Sequence, residues 1–248
     1  MNSEKHRVAI VTGAARNIGR SIAKKLASEG IAVVVNAIRD VKAANSVTQE
    51  IKEFGGHAIT CMADVTNVSA VNEMVGKTIK EFGRLDILIS NASIRNQTPV
   101  TKMSLEEWHN VLAVPLDGTF LCAQAAIPHI KRMGSGRIIT LGGISAYIGT
   151  PERTHLLTAK AGLVGLTRGL AVELAPFGIT CNVVSPGHIE TERPASAGTR
   201  PAIKNQPPLN RFGKPEEIAS MVSYLCSEEA SYITGQTLHV NGGMFLGV

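Results

Sequence analysis

Short apolar runs rich in β-branched residues alternate along the chain with longer segments of helical periodicity. The apolar runs predict seven strands, over residues 7–12, 32–36, 57–62, 85–90, 137–141, 180–184 and 237–240. The segments between them predict six helices, over residues 18–29, 41–54, 68–82, 104–133, 154–176 and 215–226. Because strands that alternate with crossover helices pair in parallel, this pattern predicts an α/β fold: one doubly wound, seven-stranded parallel sheet with helices on both faces.

The chain is expected to form a single domain over residues 1–248. Its length exceeds the commonest domain size, but one layered α/β structure can hold 248 residues around a single sheet. Segment 191–214 departs from the alternation, since it holds four of the eleven prolines and shows little periodicity. We interpret it as a surface loop that serves either as a substrate lid or as a mobile connector.

Composition excludes several classes of protein. Hydrophobic residues make up 44% of the chain and charged residues 18%, as expected for a packed globular core. The net charge of +5 comes from scattered basic residues and no basic tract, so we expect no nucleic-acid partner, although the charge favours anionic ligands.

The cysteines and the apolar runs indicate a cellular compartment. The four cysteines are isolated in sequence, which predicts buried free thiols and no metal site: Cys61, Cys122, Cys181 and Cys226. No charged-then-apolar leader opens the chain and no uninterrupted apolar run reaches the length of a membrane span. We therefore expect a cytoplasmic protein with a small-molecule substrate and no membrane partner.

A candidate phosphate-binding turn follows the first predicted strand. Residues 12–19 read TGAARNIG and lead directly into a helix that begins near Ile18. Glycines let backbone amides approach a pyrophosphate, and the helix N-terminus favours negative charge there. Alone the pattern is weak, because glycines also serve ordinary turns.

Five further motifs follow this turn in order: DV at 64–65, NAS at 91–93, TAKAG at 158–162, NVVSPG at 182–187 and ITGQT at 233–237. Together the six motifs resemble those of the short-chain dehydrogenase/reductase family and are similar to those of its 3-oxoacyl-ACP-reductase-like members. The resemblance covers the chain from about Arg7 to Gly243. It implies a Rossmann-type dinucleotide-binding domain and an oxidoreductase.

By this resemblance the cofactor is bound by residues of these motifs: Gly13, Arg16, Asn17, Ile18, Gly19, Asp64, Val65, Asn91, Ala92, Lys160, Pro186, Gly187, Ile189 and Thr191. Asn17 stands where the family often has glycine, and because Asn tolerates positive φ better than other non-glycine residues, the turn can still form. Two of these residues have structural alternatives: Asp64 as a helix or turn cap, and Asn91 as a hydrogen-bonding residue at a strand end.

The residue that ends the second strand selects between the two dinucleotides. An acid there binds a ribose 2′-hydroxyl, whereas arginine accommodates a 2′-phosphate. Positions 36 to 38 hold no acid, and Arg16 and Arg39 are planar donors suited to a phosphate. This favours NADP(H) over NAD(H). Asp40 is evidence for NAD(H) instead, because a one-residue shift of the strand end would bring its carboxylate to the ribose.

The catalytic positions depart from the family pattern. The resemblance implies acid–base catalysis by a tyrosine four residues before a lysine, with an upstream serine and an asparagine in the preceding helix. Lys160 matches the lysine, whereas Leu156, Gly143 and Pro115 occupy the tyrosine, serine and asparagine positions. Losing a positioned acid–base group costs about a hundred- to ten-thousandfold in rate, so ordinary carbonyl reduction is expected to be impaired.

Pro115 has a consequence for the fold as well. A proline inside a helix removes a backbone donor, so the helix predicted over 104–133 should kink there. Alternatively, the family fold already has a kink at this place and the proline fits it.

Other residues are candidates for the missing proton donor. Tyr147 follows the fifth strand and could direct its hydroxyl into the site. The alternative to this catalytic role is a structural one, in which its ring packs at the rim of the site. His155 titrates near neutrality but lies one helical step, about 100°, from the tyrosine position, so an exposed or capping role is the alternative. His188 lies next to the expected nicotinamide position, or is an ordinary loop histidine. Ser145 and Thr158 are weaker candidates, because hydroxyl groups release protons with difficulty.

Three functions stay open. The leading one is an atypical NADP(H)-dependent reductase of a small carbonyl or activated C=C substrate, with Lys160 on the nicotinamide ribose and a relocated donor such as Tyr147. Dienoyl-CoA reductases of the same superfamily keep the lysine without the tyrosine, and Lys160 or a tyrosine would stabilise the resulting enolate. The alternatives are a catalytically silent NADP(H)-binding scaffold or sensor, and a non-redox lyase or isomerase. The substrate itself is not readable.

Family likeness also implies a homotetramer or homodimer formed through the two long helices. Small residues on the second of them would allow close helix approach: Ala159, Gly162, Gly165 and Gly169. Close helix–sheet packing within one subunit explains the same residues.

Overall fold

A single seven-stranded parallel sheet forms the centre of the molecule. A computed structural model describes residues 6–192 and 207–247. The strands are β1 (Val8–Val11), β2 (Ala32–Ala37), β3 (Ala58–Met62), β4 (Ile87–Ser90), β5 (Gly136–Leu141), β6 (Ile179–Pro186) and β7 (Thr237–Val240). Their order is β3-β2-β1-β4-β5-β6-β7, with every pair parallel. The predicted Rossmann-type doubly wound sheet is confirmed.

Helices cover both faces of this sheet. They are α1 (Asn17–Ser28), α2 (Val41–Glu53), α3 (Val68–Phe82), α4 (Leu105–Leu112), α5 (Gly118–Lys131), α6 (Ser145–Ile148), α7 (Thr154–Leu174) and α8 (Pro215–Cys226). The sheet order reverses between β1 and β4, and a crevice at the carboxyl ends of the strands is where open α/β sheets bind ligands.

The continuous apolar runs of the strands follow from burial on both faces. In β2, Val33 and Val35 pack into the cluster shared with α1 and α8, whereas Ala32 and Val34 pack into the opposite cluster. Because successive side chains of a strand point to opposite faces, both sets must be apolar. The four cysteines are free and buried, as predicted.

The helix predicted over 104–133 is interrupted at Pro115. A single π-helical turn, Ala113–Asp117, separates α4 from α5, and Pro115 lies buried within it. The Thr119 hydroxyl donates to the Pro115 carbonyl at 2.6 Å. The expected break in this helix is confirmed, and it lies at the residue that has no backbone donor.

The combined stretch Leu105–Lys131 is long and apolar enough, by length and composition alone, to cross a membrane. This differs from the expectation of no such segment. Cys122, Ala123, Ala126 and Ile130 of this stretch are nonetheless buried against the sheet, as in the core helix of a globular domain. The stretch is therefore weak evidence for a membrane span.

The predicted loop 191–214 lies mostly outside the described residues, since 193–206 are not among them. Its flanks pair with each other: Glu190 donates to the Gly213 carbonyl and Gly213 donates to the His188 carbonyl, each at 2.9 Å. Both ends of the segment are thereby held at the carboxyl end of β6.

Candidate active site

The turn between β1 and α1 adopts the conformation that its two unusual residues require. Gly13 has φ +62° and Asn17 has φ +51°, so asparagine does occupy the left-handed region as expected. The Asn17 side chain also donates to the Glu192 carbonyl at 3.0 Å and accepts from the Glu192 amide at 2.9 Å. Asn17 therefore ties the turn to the beginning of the predicted lid.

Asn91 holds the same turn from the neighbouring strand. Its side-chain amide donates to the carbonyls of Thr12 (2.9 Å) and Gly13 (3.0 Å), and its backbone amide donates to the Thr12 hydroxyl. A Cβ added to Gly19 would overlap the Gly13 carbonyl oxygen and lie 2.6 Å from the Asn91 amide. Asn91 thus has the strand-end structural role, and Gly19 must be glycine for the backbone to close.

The end of β2 holds no acid. The strand runs to Ala37, one residue further than predicted, and Asn36 is buried with its amide donating to the Cys61 and Ala63 carbonyls. Asp40 lies beyond the strand as the N-cap of α2, where its carboxylate accepts from the Ala43 amide at 3.0 Å. The later strand end therefore does not bring Asp40 into the strand.

Asp64 and Val65 follow β3 in separate roles. One carboxylate oxygen of Asp64 accepts from the Thr66 amide (2.9 Å) and the Thr66 hydroxyl (2.7 Å), which is the turn-capping alternative. Val65 is buried against Gly118 of α5, where a Cβ would lie 2.6 Å from a Val65 methyl carbon. Both residues order the loop that leads to α3.

A cavity opens at the carboxyl ends of β4, β5 and β6; we call it the Lys160 cavity. It is lined by Ile18, Asn91, Arg95, Leu141, Gly142, Gly143, Ile144, Ser145, Thr150, Arg153, Leu156, Lys160, Pro186, Gly187, His188, Ile189, Thr191 and Phe212. The other predicted cofactor residues lie outside this lining, around the ends of β1 to β4: Gly13, Arg16, Asn17, Gly19, Arg39, Asp64, Val65 and Ala92. The structure thus places about half of the predicted cofactor residues in one cavity with Lys160.

Lys160 is a buried cation. Its side chain reaches the end of β5, where Nζ donates to the Leu141 carbonyl at 2.5 Å, and the residue is 8% exposed. Burial, with a smaller contribution from the charge of Arg95, lowers the pKa of Lys160 to about 7. A group that exchanges a proton near neutral pH therefore lies in the cavity. Leu156, one turn earlier on α7, presents an apolar side chain there.

Tyr147 and His155, the two residues predicted as proton donors, are not among the described residues that line the Lys160 cavity, and their catalytic role stays a prediction. Tyr147 lies on the short helix α6, and its ring packs against His239 and Phe245, with centroids 4.6 and 5.0 Å away. His155 is fully buried; its Nδ1 accepts from the next backbone amide, and its Nε2 lies 3.6 Å from a carboxylate oxygen of Glu107 on α4. The printed contacts of both side chains are thus with residues outside the cavity lining, apart from the bond of His155 to the Leu156 amide.

Of the three remaining candidates for the proton donor, two line the cavity and one lies on the surface. His188 and Ser145 line the Lys160 cavity. Thr158 is exposed on α7 and donates to the Thr154 carbonyl at 2.8 Å, one helical turn earlier. Of the candidate hydroxyl and imidazole groups, His188 and Ser145 are therefore those that the described residues place in the cavity lining.

Four lining residues with polar or aromatic side chains were not among the candidates from sequence: Arg95, Thr150, Arg153 and Phe212. Arg95 lies two residues after the NAS motif, and Arg153 immediately precedes α7. Charged residues at the carboxyl ends of strands and at a helix entrance are a sequence signal that could have identified the two arginines.

This sheet order, with a glycine turn after β1 and a lysine cavity at the strand ends, defines a dinucleotide-binding oxidoreductase of Rossmann type. A family model described as enoyl-(acyl carrier protein) reductase matches residues 13–245. The chain belongs to the short-chain dehydrogenase/reductase family.

Two curated relatives with high similarity to the chain are named as reductases. The chain is 41% identical over 240 residues to 3-oxoacyl-(acyl-carrier-protein) reductase FabG of Staphylococcus aureus, covering 96% of this chain and 98% of the relative. It is 40% identical to the 3-oxoacyl-(acyl-carrier-protein) reductase of Synechocystis sp., with 96% and 97% covered. The likeness therefore spans nearly the full length of both.

Two solved structures of dehydrogenases/reductases have the same fold as this chain. A dehydrogenase/reductase from Sinorhizobium meliloti superposes with a TM-score of 0.90 at 34% identity, covering 96% of this chain and 94% of that one. A short-chain dehydrogenase/reductase mutant from Serratia marcescens superposes with a TM-score of 0.87 at 34% identity, covering 96% and 97%.

Proposed function

We propose that this protein is an atypical NADP(H)-dependent reductase of a small carbonyl or activated C=C substrate, in which Lys160 supplies the proton that a tyrosine gives in the family pattern. The observation that carries the proposal is the buried Lys160 ammonium in the cavity, whose pKa of about 7 lies close to neutral pH, with the apolar side chain of Leu156 in the same lining.

The residues around the β1–α1 turn fit a dinucleotide. Gly13 takes a left-handed conformation and Gly19 leaves no room for a Cβ, so backbone amides at the start of α1 can approach a pyrophosphate. Ile18, Pro186, Gly187, Ile189 and Thr191 then continue toward Lys160. When bound, a nicotinamide dinucleotide supplies the hydride.

Lys160 would supply the proton that the reduction needs in addition to the hydride. For a carbonyl substrate, Nζ would donate its proton to the oxygen that gains the electron pair of the reduced C=O bond. For a conjugated alkene, Nζ would stabilise the enolate oxygen, and its proton would end on the α carbon. Nζ donates one hydrogen bond to the Leu141 carbonyl and has two further N–H groups. The neutral amine regains its proton from water.

The test of this function is NADPH oxidation by the purified protein with small ketones, oxo acids and enones. We expect turnover above the buffer rate for at least one class. A second function, a silent NADP(H)-binding scaffold, is favoured by the prediction from sequence that Leu156, Gly143 and Pro115 occupy the family's catalytic positions. Binding of NADPH with no turnover of any class would support the scaffold and contradict the reductase.

For the cofactor we propose NADP(H), bound at its 2′-phosphate by Arg16 and Arg39. Both guanidinium groups are exposed at the carboxyl ends of β1 and β2, and Asp40, the nearest acid, is engaged as the cap of α2. We expect Arg16→Gln and Arg39→Gln each to raise the Kd of NADPH about tenfold and to change the Kd of NADH by less than about twofold, since only NADPH has the phosphate.

Fluorescence titration measures both constants. Asp40→Ala is the matched control: it should destabilise the protein by about 1 kcal/mol through loss of the helix cap, with the NADPH preference unchanged. Tighter binding of NADH than of NADPH by the wild type, or a switch of preference in Asp40→Ala, would contradict the assignment.

For assembly we propose a homotetramer or homodimer through α5 and α7. Ala159 is buried and a Cβ on Gly162 would lie 3.3 Å from Leu116, so these small residues serve packing within the subunit. Gly165 and Gly169 face open space among the described residues. Val172, on the same helix, is 81% exposed. The open part of α7 supports its use as a subunit interface.

A further inference from the structure

Ser145 provides a hydroxyl group in the lining of the Lys160 cavity that makes no hydrogen bond to the described residues of the protein. Three residues with hydroxyl groups line the described cavity: Ser145, Thr150 and Thr191. Thr150 donates to the Gly149 carbonyl at 2.8 Å, and Thr191 donates to the Ile189 carbonyl at 3.5 Å. The Ser145 oxygen has no such partner and is not enclosed by protein atoms. Its hydroxyl is therefore able to bind a molecule that enters the cavity.

The backbone on both sides of Ser145 is held by hydrogen bonds. Before it, the amides of Gly142 and Ile144 donate to carbonyls of β6 at 2.8 and 2.9 Å, so the segment that follows β5 lies against the end of β6. After it, the Gly149 amide donates to the Ser145 carbonyl at 3.0 Å and closes α6. A donor on a fixed backbone needs no rearrangement when negative charge develops on a bound oxygen, and this makes its hydrogen bond effective in catalysis.

Ser145 and Lys160 both lie at the carboxyl end of β5. Lys160 Nζ donates to the carbonyl of Leu141, the last residue of β5, and Ser145 follows four residues later with its side chain in the same lining. A cationic donor and a neutral donor thus line one cavity. The ammonium can transfer a proton, whereas the serine hydroxyl serves as a hydrogen-bond donor that keeps its proton.

Gly143 leaves open space beside the Ser145 hydroxyl. A Cβ added to Gly143 would lie 3.8 Å from the Ser145 hydroxyl oxygen, with no other described atom within 4 Å apart from its two chain neighbours. Because residue 143 has no side chain, an oxygen atom of a substrate can occupy this space. A serine at position 143 would place its own hydroxyl in the space that Ser145 borders, so the two positions can serve the same oxygen.

We propose that Ser145 is a catalytic residue of this chain, whose hydroxyl donates a hydrogen bond to the substrate oxygen that gains negative charge during reduction. The inference rests on the proposed reductase function and adds a second group to its chemistry. The oxygen is that of a ketone or of the enolate formed from an enone. The proton that completes the reduction comes from Lys160, so Ser145 stays protonated from the beginning of the reaction to its end.

The first test is NADPH oxidation with cyclohexanone and with cyclohexenone. For each compound that the wild type reduces, we expect Ser145→Ala to lower kcat by about a hundredfold and to change KM by less than about threefold, because the hydrogen bond strengthens as charge develops on the oxygen. Ser145→Thr keeps a hydroxyl and should retain at least about a tenth of the wild-type kcat. A Ser145→Ala variant with an unchanged kcat would overturn the proposal.

A rescue variant separates this role from a merely structural one. Gly143→Ser added to Ser145→Ala should restore kcat to within about tenfold of the wild type, since a serine at position 143 borders the same space. Thr158→Val is the control, because the Thr158 hydroxyl lies outside the described lining and donates to the Thr154 carbonyl. It should keep the wild-type kcat. A loss in Ser145→Ala that Gly143→Ser does not restore would assign Ser145 to the fold and refute the catalytic role.

Binding of p-nitrophenolate distinguishes failure of this proposal from failure of the reductase function. The probe carries negative charge on a phenolic oxygen, as an enolate does, and in the presence of NADP⁺ its absorbance reports binding without turnover. We expect Ser145→Ala to raise its Kd at least about tenfold, and Gly143→Ser in that background to restore it. If this holds while no ketone or enone is reduced, the oxygen-binding role stands and the reductase function fails. If the probe binds the wild type and Ser145→Ala equally, or binds neither, the assignment of Ser145 is refuted whatever the assay shows.

Discussion

Replacing Lys160 by methionine is expected to lower turnover by about a hundred- to ten-thousandfold, the range for loss of a positioned proton donor. Methionine fills a similar volume without a charge, and the lysine it replaces is buried with one hydrogen bond, to the Leu141 carbonyl. Removing a buried charge spares its desolvation, so the variant should unfold at a temperature no lower than that of the wild type. Steady-state NADPH oxidation and thermal unfolding measure the two effects.

The pH dependence of the reaction tests whether Lys160 is the proton donor. Its pKa in the folded protein is about 7 and the ordinary value is 10.5. The donor must be protonated, so kcat/KM should fall as pH rises through about 7. For stability the sign is opposite: between about 7 and 10.5 the unfolded chain binds more protons than the folded one, so the lysine makes stability rise with pH across that window. Lys160→Met should lack both slopes.

Lys52→Met is the control for these measurements, because Lys52 is exposed on α2, remote from the cavity lining. It should keep both the wild-type rate and the wild-type pH profile. If Lys160→Met retains more than about a tenth of the wild-type kcat, or keeps the fall in kcat/KM near neutral pH, another group is the donor. His188, in the same lining, would then be the residue to replace.

The fold was predictable because residues that are buried on both faces of a sheet must be apolar, and the apolar runs therefore mark the strands. In β2 every residue from Ala32 to Ala37 is buried, and such a run has no other use in a chain of this composition. The break at Pro115 was also predicted, from the missing backbone donor, although Pro128 lies inside α5 without interrupting it. The end of β2 was missed by one residue, because pairing of Ala37 with Met62 of β3 extends the strand beyond its most apolar part.

Side-chain direction at the site was not predictable, because it depends on distant contacts. Tyr147 is turned by packing on His239 and Phe245, which lie more than ninety residues further along the chain. Arg95 and Arg153 belong to none of the motifs, and only the folded sheet brings their two segments to one cavity. The motifs contained Lys160, on α7, and Gly187, directly after β6, and both residues line the cavity, so for these two positions the motif gave the place in the fold.

A triple variant of the predicted catalytic positions is expected to gain ketone reductase activity. The triple variant Gly143→Ser, Leu156→Tyr and Pro115→Asn should reduce simple ketones at least about a hundredfold faster than the wild type, because it restores a phenolic donor one helical turn from Lys160. A Cβ on Gly143 meets only the Ser145 hydroxyl, at 3.8 Å, so a serine fits. NADPH oxidation with a neutral ketone such as cyclohexanone measures the gain.

The surroundings of Leu156 determine how much stability the triple variant loses, and they suggest a control variant. Leu156 is 5% exposed but lines the cavity, so the larger ring can extend into open space and overpacking should cost no more than about 1–3 kcal/mol. The same triple variant with Leu156→Phe supplies the ring without the hydroxyl and should stay at the wild-type rate on ketones. Because only the hydroxyl separates the two, a gain confined to the tyrosine form would show that position 156 is the family's donor position and that leucine leaves it without a proton. A folded tyrosine variant that binds NADPH and reduces no ketone would show that the motif has been aligned to the wrong helical position.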